Sequence, residues 1–579
     1  MPPSTQRTGP SAADVAVMNT DRPADWVFLG GAVYTVDRAR PWAEAVAIRD
    51  GRIAGVGSDH SIRSQIGPRT EVIDLRGRML MPGFQDSHVH PAMGGLQRLR
   101  CDLSDHHTLT DYQAAVRAYA ALHPGRPWIV GGGWAMDVFP GGLPTAEALD
   151  AAVHDRPVYL SNRDGHGAWV NSRALELAGV DAATPDPRDG RIERDAAGRP
   201  TGALHEGAMD LVTRCVPAGT RDEWRQGLLA GQAYLHQFGV TAWQDAAVEV
   251  TGSTVPILDT YREMAERGEL TARVVGALWW DRHRGLGQLD ELVAARDRVT
   301  TPGFRPTTVK IMQDGVCEDF TAAVLDPYLD GHGCATERRG LSFIDPELLG
   351  QVVTAVDQAG FQVHFHAIGE RAVREALDAL AVARTINGMN DLRHHIAHIQ
   401  VIHPDDLARF AALRVVANAQ PLWAANEPQM TELTIPFLGP ERSLWQYPFA
   451  TLDRLGARLA FGSDWFVSSP NPLWEIHVAV NRVPPPRDLG HQLAEGRSDS
   501  FIPTERLDLA TALHAFTMGS AYVNHLDHET GSIAVGKWAD LVVIDRNLFT
   551  EPRLAIAEAS VQLTLVGGHP VYQAPNARG

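Results

Sequence analysis

The chain has 579 residues, 44% hydrophobic and 21% charged, an ordinary globular composition that excludes collagen-like, coiled-coil and largely disordered architectures. Its 70 acidic against 52 basic residues leave a formal charge of −18, which repels phosphate backbones and anionic lipid, and no basic patch offsets it. No run of 18 apolar residues and no secretory apolar core occurs, so a cytoplasmic protein acting on a small molecule, with neither nucleic acid nor membrane as partner, is expected.

Residues 1–25 read as a polar, disordered tail. From Trp26 to Leu80 follow short Val- and Ile-rich runs broken by Gly and Asp-Gly, and similar runs return in GSIAVGKWADLVVID and ASVQLTLVGGHPVYQ near the other end. These two ends, 26–80 and 526–579, are expected to pair into one β-sandwich. Between them, residues 81–525 alternate short apolar strands with long amphipathic segments, the pattern of repeated βα units. Eight strand candidates stand in order: GRMLMPGFQDSH, GVTAWQDA, ARVVGALWW, TTVKIMQDG, FQVHFHAIG, RHHIAHIQ, RVVANAQP and ARLAFGSDW. After the fifth, Ala372, Val373, Ala376, Leu377 and Leu380 recur at three- and four-residue steps, which predicts a helix with one buried stripe. The expected fold is therefore α/β, a (β/α)8 TIM-like barrel. The segment from about 91 to 235 is too long for a loop and predicts an inserted subdomain after strand 1. Four cysteines in so long a chain make no disulfide framework and read as buried free thiols.

The chemistry gathers at the carboxyl ends of those strands. His88 and His90 in FQDSHVHP stand two apart, so a strand directs both imidazoles to one face. Lys310, His366, His398 and Asp464 occupy the same place on later strands. His366 to His398 is 32 residues, one βα unit, and His398 to Asp464 is 66, two such units. Imidazoles and a carboxylate converging from separate strands match the preferences of a zinc-type divalent ion. Lys310 lies between Val309 and Ile311, and a buried lysine needs either a carboxylate such as Asp314 or Asp464, or conversion by CO2 into a carbamate that bridges two ions.

In order and over nearly the whole chain, MPGFQDSHVHP, VKIMQDG, HFHAIGERAV, HIAHIQ, FGSDW and GSIAVGKWADLVVID resemble the amidohydrolase superfamily, and within it the amidohydrolase-3 subgroup that includes N-substituted formamide deformylases. The resemblance implies one or two divalent ions, Zn2+ foremost, held by His88, His90, carbamylated Lys310, His366, His398 and Asp464. DGHGAWVNSRAL and TGALHEGA match the subgroup too, which places His166, Asn171 and Glu206 on the substrate side. Two of them also have a plainer reading: His166 as a loop histidine, Glu206 as a carboxylate at a helix N-terminus. The pattern departs from the subgroup at Ala397, where relatives often carry Glu, and at Trp465 and Phe466, where smaller residues are common.

The function expected is hydrolysis of the C–N bond of a small amide, an N-substituted formamide or similar N-acyl compound, by hydroxide held on the ion. Asp464 takes the attacking proton and passes it to the leaving amine. Trp134, Trp423 and Trp465 are candidates to line the pocket, which favours an aromatic or bulky substituent. Two other readings stay open: deamination of a heterocyclic amine at a single ion, and a binding or regulatory barrel without chemistry. General frequency points to a homodimer.

Overall fold

The computed structural model describes residues 16–17, 22–249, 257–486 and 499–575. Its centre is a sheet of eight parallel strands: β1 (Phe84–Val89), β2 (Val240–Val248), β3 (Arg273–Trp279), β4 (Phe304–Met312), β5 (Gln362–Ala367), β6 (His395–His398), β7 (Val416–Ala419) and β8 (Arg458–Phe461). Neighbours in the sequence are neighbours in the sheet from β1 to β8, as a singly wound barrel requires. The eight strands coincide with the eight candidates.

At the seam, β1 and β8 share no backbone ladder among the described residues. Ser87 Oγ instead donates to Phe461 O at 2.7 Å, and just past the strand ends Asp464 N donates to His88 O and His90 N to Trp465 O, both at 2.8 Å. The buried Asp86 carboxylate accepts from Ser463 Oγ at 2.6 Å and from Ser463 N. These bonds bring His88, His90 and Asp464 to one place.

Local sequence explains the layering. In β5, Gln362, His364 and His366 alternate with Val363 and Phe365, and the latter two join the apolar core between sheet and helices. The predicted stripe lies on the helix Glu370–Asn387, where all five apolar residues are buried. Burial of Leu377 and Leu380 contributes about 1.5–3 kcal/mol each.

Both chain ends meet in a six-stranded sheet, in which Met79–Pro82 lies between Leu541–Ile544 and Ala32–Tyr34. It faces a five-stranded sheet across a core of Phe28, Val46, Ile48, Leu80, Leu541 and Leu563. That second sheet is wholly N-terminal. Of the expected tail, residues 1–15 and 18–21 lie outside the described residues, and Ala16–Val17 pair antiparallel with Arg52–Gly57. Gly83 joins the sandwich to β1, and a Cβ there would stand 2.3 Å from Thr241. The four cysteines are free; Cys101 and Cys317 are buried as expected, whereas Cys215 is half-buried and Cys334 exposed.

Between β1 and β2 the chain builds a separate mixed sheet of six strands, ordered Cys101–Asp102, Ile129–Trp134, Val158–Asn162, Gly167–Val170, Pro200–Glu206 and Gly190–Arg194. The helices Pro91–Arg98 and Arg221–Gln237 carry the chain out of the barrel and back. They touch backbone to backbone, because a Cβ on Gly95 would lie 1.8 Å from Gly227 O.

Candidate metal centre

At the carboxyl end of the barrel, Asp464 Oδ1 stands 3.0 Å from His90 Nε2 and 3.2 Å from His88 Nε2. Ligand atoms of these three residues all fall within 4.8 Å of one another. His398 Nδ1 is 3.8 Å from Asp464 Oδ2, and Lys310 Nζ is 3.4 Å from His88 Nε2. The His366 ring lies 4.3 Å from that of His398, but its Nε2 faces Gly315 O at 3.3 Å rather than the Asp464 carboxylate. All six predicted residues thus gather in one place, with His366 turned aside.

The donor set fits a divalent cation. Asp464 Oδ1, His90 Nδ1 and His398 Nδ1 are buried and lack hydrogen-bond partners among the described residues, a costly arrangement unless something positive is held there. The backbone is strained where these groups are presented. His398 has φ +74° and Asp464 φ +53°, and side chains other than glycine hold such angles only when their surroundings impose them.

The electrostatics keep ligand atoms bare. Burial draws His88 down to about 3, helped by the Lys310 charge, and burial likewise takes His366 and His398 well below the ordinary imidazole value. Burial alone would raise Asp464, but His88, His90 and His398 around it hold its carboxyl well below the usual range. Burial also lowers Lys310 to about 7. Lys310 forms no ion pair among the described residues, so the expected alternative of pairing with Asp314 or Asp464 is not found. Asp314 instead accepts backbone N–H bonds from Ala323, Ile368 and Gly369, and ties together the loops after β4 and β5.

The inserted sheet reaches into the site through a loop before Gly167. His166 Nδ1 lies 2.9 Å from Glu206 Oε1, which also accepts from Thr321 Oγ1, and the His166 ring is 5.1 Å from that of His366. Burial lowers His166, but the Glu206 carboxylate outweighs it and raises the imidazole to about 9. Glu206 ends a strand at φ +51° and stands directly before the 3-10 turn Gly207–Met209, but its side chain makes no cap hydrogen bond there and pairs with His166 instead.

Beside the cluster opens a cavity of about 290 Å³ whose wall includes Trp423, Trp465 and Phe466, with Arg163, Asp164 and Glu318 among its polar groups. Trp423 stacks on His398 at 5.3 Å, and Phe466 lies 6.0 Å from His90. Two expected substrate residues lie elsewhere. Trp134 is 1% exposed in the core of the inserted sheet, packed on Phe139 and Trp169, with Nε1 donating to Leu160 O. Asn171 caps the helix Ser172–Ala178: Oδ1 accepts from Val158 N and Ala174 N, and Nδ2 donates to Val153 O and Arg156 O, which uses both ends of its amide.

Three supporting residues escaped the sequence reading. Asp86 is fully buried and raised to about 7 by burial; it accepts from His88 N. Gln420 Oε1 accepts from His398 N. His364 Nε2 meets His88 Nδ1 at 2.8 Å. The signals present were two-residue spacings, Asp86 to His88 and His364 to His366, which put each pair on one face of its strand.

A parallel barrel with imidazoles, a lysine and an aspartate at its carboxyl ends defines a metal-dependent hydrolase of the TIM-barrel type. The sequence matches the Amidohydrolase family over residues 71–572. It is 34% identical over 561 residues to Protein LONG AFTER FAR-RED 3 of Arabidopsis thaliana, covering 95% of this chain and 92% of that one. N-substituted formamide deformylase of Arthrobacter pascens is 26% identical over 567 residues, 95% and 98% of the two chains. A crystal structure of an uncharacterized metal-dependent hydrolase from Pyrococcus furiosus matches with a TM-score of 0.67 and 26% identity over 90% of this chain and 99% of that one. The chain belongs to the amidohydrolase family and is a hydrolase acting on C–N bonds. No helix among the described residues is long and apolar enough to cross a membrane.

Proposed function

We propose that the protein hydrolyses the C–N bond of a small N-substituted formamide or similar N-acyl compound, at one or two zinc ions held by His88, His90, His366, His398, Asp464 and a carbamate on Lys310. The observation that carries this reading is the buried Asp464 Oδ1, 3.0 and 3.2 Å from two imidazole nitrogens and without a hydrogen-bond partner among the described residues. A divalent cation bound there polarises a carbonyl and acidifies water.

The chain's own residues supply the rest. Asp464 takes the proton of the attacking water and delivers it to the nitrogen of the leaving amine. His166, held by Glu206, approaches from the inserted sheet and orients the acyl group. Trp423, Trp465 and Phe466 receive the nitrogen substituent, which favours an aromatic or bulky one. Lys310 forms no ion pair among the described residues and is placed beside His88, where addition of CO2 to its amine, with loss of one N–H proton, would supply a carboxylate-like ligand. The similarity to the formamide deformylase supports the substrate class. Glu370, the nearest acid after β5 in the sequence, argues against a deaminase: it is fully buried and accepts from Leu325 N at 3.0 Å.

The test is amine release by zinc-loaded protein from a panel of N-substituted formamides, N-acyl amines, lactams and carbamates, with metal content measured on the same sample. Turnover of a formamide with about two ions per chain is expected. Ammonia release from a heterocyclic amine with one ion per chain, and no amine release from the panel, would replace this reading by the deaminase.

A further inference from the structure

Beneath the metal centre the barrel interior is polar, and the direction of each hydrogen bond there can be traced from the main chain upward. Gln362 Nε2 donates to Arg393 O and Val523 O, both at 2.8 Å. Carbonyls only accept, so the amide orientation of Gln362 is fixed and its Oε1 is an acceptor. That oxygen receives Thr308 Oγ1 at 2.8 Å and Gln244 Nε2 at 3.0 Å. Gln244 Nε2 also donates to Asn524 Oδ1 at 3.2 Å. The orientation of Gln244 follows, and its Oε1 lies 2.6 Å from His364 Nδ1, which must therefore carry a proton.

His364 is fully buried, and its two nitrogens face an amide oxygen and another imidazole. Neither compensates a buried positive charge, so the ring is neutral and Nε2 holds a lone pair. That lone pair points at His88 Nδ1, 2.8 Å away, and a bond there requires the proton to sit on His88 Nδ1. The proton is thereby absent from His88 Nε2. This nitrogen faces Asp464 Oδ1 at 3.2 Å and Lys310 Nζ at 3.4 Å, so its lone pair is directed into the cluster where the divalent cation would be held.

We propose that Gln362, Gln244 and His364 form a relay that locks His88 in its Nδ1–H form and so presents the Nε2 lone pair to the metal. His364 is a positioning residue, acting through His88. The inference rests on the reading that the site holds a divalent cation, and adds which residues prepare it.

The experiment measures zinc affinity of the full chain by competition with a chromophoric chelator, alongside thermal melts of metal-free protein. His364→Phe keeps the bulk but offers no acceptor, and is expected to raise the zinc Kd about 10–100-fold. His364→Gln places an amide oxygen near the position of Nε2 and is expected to recover most of that loss. Gln244→Leu, one step further down, is expected to weaken binding by several-fold. A His364→Phe protein with the wild-type metal-free melting temperature and a zinc Kd within twofold of wild type would overturn the relay. Should that variant not fold, a Gln244→Leu protein binding zinc as tightly as wild type would do so. A wild-type chain that binds no zinc would overturn the metal reading and the relay together, so the two failures are distinguishable.

Discussion

Histidines of the barrel and histidines of the inserted sheet are buried to similar depth and shift in opposite directions. Burial holds His88, His364, His366 and His398 neutral, each below its ordinary value. The same burial acts on His166 and His205, yet Glu206 lifts the first to about 9, and Asp319 with Glu193 lifts the second to about 10. His205 Nδ1 stands 3.0 Å from Asp319 Oδ1, and Nε2 stands 3.3 Å from Glu193 Oε1. Depth alone does not decide the protonation state: Asp464, 3.2 Å from His88, does not outweigh burial and the Lys310 charge, whereas the carboxylates beside His166 and His205 do outweigh burial. The barrel keeps lone pairs for a cation, and the insertion keeps N–H donors and positive charge.

The largest expected effect tests the barrel side. Asp464→Asn should lower kcat about 10²–10⁴-fold with KM little changed, since the amide retains size but takes no proton. Steady-state kinetics on the substrate found by the panel check this, and near-normal turnover with full metal content would remove Asp464 from its role.

Next comes a stability contrast between two tryptophans. Trp134→Ala should cost about 3–5 kcal/mol in denaturant unfolding, because it empties the core of the inserted sheet. Trp423→Ala should instead act mainly on KM for substrates with an aromatic substituent. Equal effects of the two on KM would erase the distinction between core and pocket.

The insertion's part in catalysis is smaller. His166→Phe should lower kcat/KM by about 10²-fold, the lower end of what loss of one positioned donor costs, with zinc affinity retained. Loss of zinc in this variant would move His166 from the substrate side to the metal side.

The smallest effect sharpens the comparison through pH. The folded pKa of His205, about 10, lies above its unfolded value of about 6.5. Its contribution to stability is therefore full below about 6.5 and is lost as pH rises through about 10. His205→Gln should destabilise by about 1–3 kcal/mol at pH 6 and by less at pH 10, as read from melting temperatures. A penalty that grows with pH would show that this imidazole is not held in its charged form.

Much of the site was legible because strand periodicity and strand ends are local. His88 and His90 two apart, and one metal-type residue at the end of β4, β5, β6 and β8, need no knowledge of distant contacts. Trp134 is placed differently for the opposite reason: a tryptophan after a glycine run carries no local mark of whether it faces a cavity or a core, and only the neighbouring strand Val158–Asn162 decides it. Asn171 does carry a local mark, since an asparagine directly before a helix is a preferred N-cap, and that is the role it takes.

Residue order alone determined the eight βα units and the kinds of side chain at their carboxyl ends, since alternation and helical stripes are properties of short segments. Only the tertiary structure decided that His364 backs His88, that Glu206 charges His166, and that the insertion delivers them to the barrel. Those pairings join residues 276 and 40 positions apart, and their energy comes from burial and contact that exist only once the chain has closed.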